Sequence, residues 1–111
     1  MANYQSVIKT LIDESRKRNY FLDIINDGEE GRLVRKEEKM TDICNDATST
    51  EMAYLTFYTP HKNARFSVFL IFGNNLSETI VDHTMTKNAE DICNSVIQHF
   101  DADFKPYTFC Q

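Results

Sequence analysis

The run Gly73-Asn74-Asn75, followed by Glu78, Asp82 and His83, is the densest group of chemistry-capable side chains in the sequence. Two carboxylates with a histidine beside them raise general acid–base chemistry as the first reading. The spacing argues against it. Asp82 and His83 are neighbours on a predicted strand, so their side chains point to opposite faces and form no dyad. Simple alternation puts Asp82 on the face of Ile80 and Thr84, where a carboxylate acts as an edge charge or a turn acceptor. Nothing around Glu78 and Asp82 would split their pKa values into an acid and a base.

The other chemistries fare no better. His61, His83 and His99 form no H-x-x-x-H or H-x-H pair, whereas structural zinc sites usually show at least one closely spaced ligand pair. Cys44, Cys93 and Cys110 are an odd set with long spacings and no C-x-x-C, which argues against both a disulfide framework and a zinc knuckle. They are expected to be reduced. Cys93 falls on the apolar stripe of a predicted helix and reads as a small core residue, and Cys44 with His83 would need a spatial assembly that the spacing does not supply. Gly28, Gly31 and Gly73 build neither G-x-G-x-x-G nor a P-loop. The expectation is a protein with no catalytic, cofactor-binding or metal site, and hence not an enzyme.

The elements follow from periodicity. Tyr4, Val7, Ile8, Leu11 and Ile12 recur at helical spacing, with Asn3 available as N-cap and Arg16-Lys17-Arg18 placed to complement the dipole at the end. Tyr20–Ile25 is rich in β-formers and stops at Asn26-Asp27-Gly28, where Asp-Gly supplies a tight hairpin to a short strand around Gly31–Lys36. In the polar stretch 37–51, Thr41 is a candidate cap for a short helix burying Ile43, Cys44 and Ala47. Ala53–Thr59 and Arg65–Phe72 are strands joined by His61-Lys62-Asn63-Ala64 after Pro60. Gly73-Asn74-Asn75 turns the chain through Leu76-Ser77-Glu78 into a further strand, Thr79–Thr84. Ala89, Ile92, Cys93, Val96, Ile97 and Phe100 then mark a final helix capped by Thr86 or Asn88.

A chain of 111 residues suffices for one domain and is too short for two. These elements predict a single α+β domain over 1–111: an antiparallel β-meander of about five strands with the N- and C-terminal helices packed on one face. Two helices cannot also cover the other face, yet Phe21, Tyr54, Tyr58, Phe69 and Ile71 point there. Either the C-terminal tail 101–111, with Phe104, Tyr107 and Phe109, folds over that surface, or it is an apolar patch for a partner or a second copy.

Charge narrows the partner. The net charge is −5, and all of it arises after residue 40, where four Lys and Arg face nine Asp and Glu; the first forty residues hold eight of each. Only Arg16–Arg18 and Arg35-Lys36 cluster cations, so direct nucleic-acid binding is disfavoured. No apolar run approaches the ~20 residues of a membrane span, and the N-terminus reads as an amphipathic helix instead of a signal peptide, so a cytoplasmic location is expected.

The strings DGEEGRLVRK at Asp27–Lys36, Ser49-Thr50-Glu51, the strand Phe66–Phe72 and GNNLSETIVDHT at Gly73–Thr84 together resemble an uncharacterised family of small bacterial, prophage and phage proteins. Its pattern runs D-G-E-E, a basic-polar strand, S-T-D-E, an aromatic strand and a G-N…I-x-D-x-T ending, over about residues 20–85. The chain departs from it at Asn63-Ala64, where a glycine is usual, and the resemblance implies no activity.

The functional expectation is a small acidic protein-binding module, in the manner of a phage accessory or inhibitor acting on a host protein, in the host cytoplasm if phage-encoded. Asn74, Asn75, Glu78, Asp82, Glu90 and Asp91 are the expected partner-binding residues, because an acidic surface steers association with a basic partner. The alternatives are an immunity protein or a sheet platform that stacks a small ligand or RNA on Tyr54, Tyr58 and Phe69.

Overall fold

The computed structural model describes residues 4–27, 30–35, 38–73 and 75–101. Its elements follow the order helix α1 (Tyr4–Lys17), strands β1 (Phe21–Asn26) and β2 (Gly31–Leu33), helix α2 (Met40–Ala47), strands β3 (Met52–Tyr58) and β4 (Arg65–Ile71), a 3₁₀ turn (Leu76–Glu78), strand β5 (Ile80–His83) and helix α3 (Lys87–Phe100). The five strands form one antiparallel sheet in the order β2-β1-β3-β4-β5. The expected α+β fold, a five-stranded antiparallel sheet with terminal helices, is therefore observed, but its topology corrects the expected meander: β3 lies beside β1 and not beside β2, because the chain crosses from the edge strand β2 through α2 before it re-enters the sheet.

Local chemistry sets the element boundaries. The first helix ends because Asn19 takes a left-handed conformation at φ 66°, which lets the Tyr20 N–H donate to the Ser15 carbonyl at 2.9 Å. The third begins at Thr86, whose hydroxyl accepts from the Ala89 N–H at 3.4 Å. The short α2 buries Ile43, Cys44 and Ala47, the three residues its pattern singles out, although it starts after Lys39 and not at a Thr41 cap. Asn3, Gly28 and the tail 102–111, with its aromatic residues, lie outside the described residues.

One face of the sheet holds the core. Ala53, Leu55 and Phe57 of β3 and Phe66, Val68 and Leu70 of β4 alternate inward, under Val7, Ile8, Leu11 and Ile12 of α1 and Ala89, Ile92, Cys93 and Val96 of α3. Phe57 and Phe66 stack at 4.9 Å between ring centroids, and Tyr20 meets Phe66 edge-on at 5.0 Å. Burying each large apolar side chain stabilises the fold by roughly 1.5–3 kcal/mol, so this layer dominates stability.

Three details differ from simple periodicity. The second strand stops at Leu33, leaving Arg35 outside it, because Val34 leaves the strand pattern after one further bond to the Asp23 carbonyl. Ile97 is only half-buried and lies outside the fully buried stripe of α3, in which Val96, its neighbour, takes the inward position. The β4–β5 pairing carries an irregularity between Phe69 and Leu70: Leu70 faces Ile80, while Phe69 faces Asp82. Directly opposed residues share a face, so this shift moves Asp82 to the side away from Ile80 and corrects the face that plain alternation assigns to it.

Candidate functional site

The face of the sheet turned away from the helices is the candidate site. Register carries a row across all five strands: Gly31, Asn26, Tyr54, Phe69 and Asp82 lie side by side. Leu33, Ile24, Thr56 and Ser67 form the adjoining row, Phe21, Tyr58 and Arg65 a third, and Met52 with Ile71 a fourth. Tyr54 and Phe69 stack nearly parallel, with centroids 4.3 Å apart and an interplanar angle of 8°. Thr56 and Ser67 join hydroxyls at 2.9 Å in the middle of the surface.

Much of this face is accessible to solvent. Leu33 is 66 % exposed, Phe21 43 % and Tyr54 42 %, while Phe57, one position from Tyr58 on the same strand, is fully buried. The sequence produces this because both sides of β4 are apolar, with Phe69 and Ile71 alternating with Phe66, Val68 and Leu70, yet all three described helices lie on one side. Lys62 reaches over the Tyr58 ring at 5.4 Å and pairs with Asp23 at 3.3 Å, giving the face a charged rim.

The six expected partner-binding residues do not form one surface. Asn74 lies outside the described residues. Asn75 and Glu78 are exposed on the 3₁₀ turn, whose shape is held by the Glu78 N–H donating to the Asn75 carbonyl at 2.9 Å. Asp82 is on the open face beside Phe69, with its carboxylate accepting from the His83 N–H at 2.9 Å. Glu90 is 2 % exposed, so the expectation that it offers a rim charge is corrected: the first turn of α3 rolls it inward. Asp91 is half-buried and engaged within the chain, 3.0 Å from Lys87 and 3.8 Å from Arg18. Glu90 and Asp91 lie in the first two turns of α3, whereas Asn75 and Glu78 belong to the separate 3₁₀ turn.

One charged cluster went unnoticed in the sequence. Arg32 of β2 donates to both carboxylate oxygens of Glu38, at 2.7 and 3.0 Å, and through Nε to Asp46 of α2. These bonds raise the guanidinium pKa further and hold the Glu38 carboxyl below its usual value. The cluster ties the edge strand to α2 and is structural. Its members are up to fourteen positions apart, so no local spacing reveals it.

The two described thiols are buried. Burial pushes the Cys93 thiol up to about 12 and raises that of Cys44, so neither is a ready thiolate. The His83 ring contacts the Thr84 carbonyl at 2.8 Å through Nδ1. Among the described residues, no group of three or more His, Cys, Asp or Glu could hold a metal, and no helix is long and apolar enough to cross a membrane. Comparison of the chain with family models, curated proteins and solved structures returns no match.

Proposed function

We propose that this chain is a non-enzymatic protein-binding module and that the open face of its sheet is the surface that engages the partner. The observation that carries the reading is the row Asn26, Tyr54, Phe69 and Asp82, with Leu33 and Phe21 beside it: a band of partly exposed apolar side chains on an otherwise well-packed sheet. Contiguous exposed apolar surface with a polar rim is the usual mark of an interaction site, and tyrosine and phenylalanine supply contact area at low entropic cost. The acidic surface becomes secondary. Glu90 is buried and Asp91 is engaged by Lys87 and Arg18, which leaves Glu78 and Asp82 as the exposed acids of the expected set. Asp82 then acts as a rim charge that favours a cation opposite it in the partner.

The test compares the intact chain with Leu33→Lys/Tyr54→Lys, two exposed positions whose change leaves the core untouched. A host protein retained by the immobilised wild-type chain and lost from the double variant supports the reading. Retention by both, with loss only from Glu78→Lys, transfers the interface to the 3₁₀ turn. Excess absorbance near 260 nm that disappears in the double variant identifies the face as a nucleic-acid platform instead.

A further inference from the structure

Next to the open face, which it touches only at its edge through Phe21, Tyr58 and Lys62, the structure contains a cleft of about 460 Å³ where α1, α2 and the first half of β1 meet. Strand β2 pairs with β1 only over Ile24–Asn26, so the outer edge at Phe21 and Leu22 has no neighbouring strand. Val34, Arg35, Glu38 and Ile43 line the cleft beside this edge. Ile12, Leu22, Val34 and Ile43 form the apolar floor and sides, with Phe21 and Tyr58 at the edge.

The charges at the mouth are unbalanced. Arg16, Arg35 and Lys62 line it and are exposed. Two carboxylates also line it, and both are engaged: Asp23 pairs with Lys62, while Glu38 is held by both terminal nitrogens of Arg32 and by the Arg35 backbone N–H at 3.2 Å. Neither the Arg16 nor the Arg35 guanidinium makes an ion pair with any described carboxylate; that of Arg35 acts on Glu38 through space, beside the bond from its backbone N–H. Two guanidinium groups therefore stand over an apolar cavity in a chain of net charge −5.

We infer that this cleft binds a small anionic amphiphile, a free carboxylate with an unbranched apolar tail, the tail lying over Ile12, Leu22, Val34 and Ile43 and the head group held by Arg16 and Arg35. The volume is that of a small-molecule site, predominantly apolar with a few polar anchors. A carboxylate matches the fork of a guanidinium, and a charge-assisted pair at a partly desolvated mouth is stronger than one in open water. An alcohol would gain the tail burial alone. An alkylammonium would meet like charge.

The experiment is a two-dimensional amide NMR titration of the isotopically labelled full chain with decanoate below its micelle concentration, and with decanol and decylammonium as controls. Decanoate should shift the amides of Leu22, Val34, Arg35 and Tyr58 saturably, and bind roughly tenfold more tightly than decanol, as expected for one charge-assisted interaction. Decylammonium should leave those amides unmoved. The Arg16→Gln/Arg35→Gln variant should lower decanoate affinity to that of decanol while its spectrum stays folded. Equal binding of decanoate and decylammonium, or shifts confined to Tyr54 and Phe69 on the open face, would overturn the inference. So would binding to phosphatidylglycerol vesicles without binding of monomeric decanoate. The wild-type comparison of the three probes decides the matter even if the double variant does not fold.

Discussion

The two faces of the sheet are built from the same strands and similar residue types, yet they do different work. On the covered face Phe57 and Phe66 stack at 4.9 Å, both inaccessible to solvent. On the open face Tyr54 and Phe69 stack at 4.3 Å, with Tyr54 42 % exposed. Nearly identical ring geometry therefore lies within the core in one layer and is partly exposed to solvent in the other. The lesson is that aromatic alternation along a strand identifies two apolar faces, while the number and placement of helices decide which one stays open.

The comparison predicts unequal responses to substitution. Val96→Asp puts an unpaired charge into the covered layer and should cost several kcal/mol, enough to unfold a domain of ordinary stability. Phe57→Ala removes a fully buried ring and should cost about 3–5 kcal/mol in denaturant unfolding. A small loss in either case would mean that the covered face is not the core.

High pH probes the same layer without mutation. Cys93 is buried against the sheet and its thiol is pushed up to about 12 from an ordinary value of 9.0. The folded state thus prefers the neutral thiol, and its contribution is complete below about pH 9 and is lost as pH rises towards 12, by an order of a few kcal/mol. Stability followed by urea unfolding should decline across that window in wild type and decline less in Cys93→Ala. An identical decline in both proteins would locate the alkaline sensitivity elsewhere.

On the open face the effects should be small. Tyr54→Ala loses one stacked pair and part of one side chain's burial, so a cost of about 1 kcal/mol is expected. A cost equal to that of Phe57→Ala would make the open face a second core. The Arg32–Glu38 pair should have the slightest influence. Glu38 titrates lower when folded, so its contribution is present above its ordinary value of 4.5 and is lost as pH falls through the folded value. Arg32→Gln should flatten that acid limb, measured as the urea midpoint against pH, by removing the small contribution present at neutral pH while leaving stability below the folded value nearly unchanged.

Most of the architecture is legible in the sequence because it rests on local signals. Thr86, one of the two candidate caps, caps α3, Arg16 and Lys17 fall in the last turn of α1, and Ile43, Cys44 and Ala47 give α2 its buried side despite weak propensity. The candidate surface is legible only in part. Phe21, Tyr54, Tyr58, Phe69 and Ile71 fall on the open face as their alternation implies, but the register shift at Phe69/Leu70 brings Asp82 beside them, and no residue type in β5 announces it. In the sequence Glu90 reads as an exposed acid because charge usually means surface; its burial depends on how α3 meets α1 and the sheet, a matter of packing between distant segments. The Arg32 cluster and the Arg16–Arg35 cleft are assembled by the same kind of long-range approach.

The central claim is that the open face is the partner surface, and footprinting of the complex tests it most directly. A partner captured from host lysate can be held on the chain while solvent-exposed side chains are labelled with a photoreactive carbene, and the labelling compared with that of the free chain. Protection concentrated on Phe21, Leu33, Tyr54 and Phe69, with Glu78 and the exposed side of α3 labelled as before, is the predicted result. Protection of the 3₁₀ turn and α3 with the four open-face residues still fully labelled would contradict it.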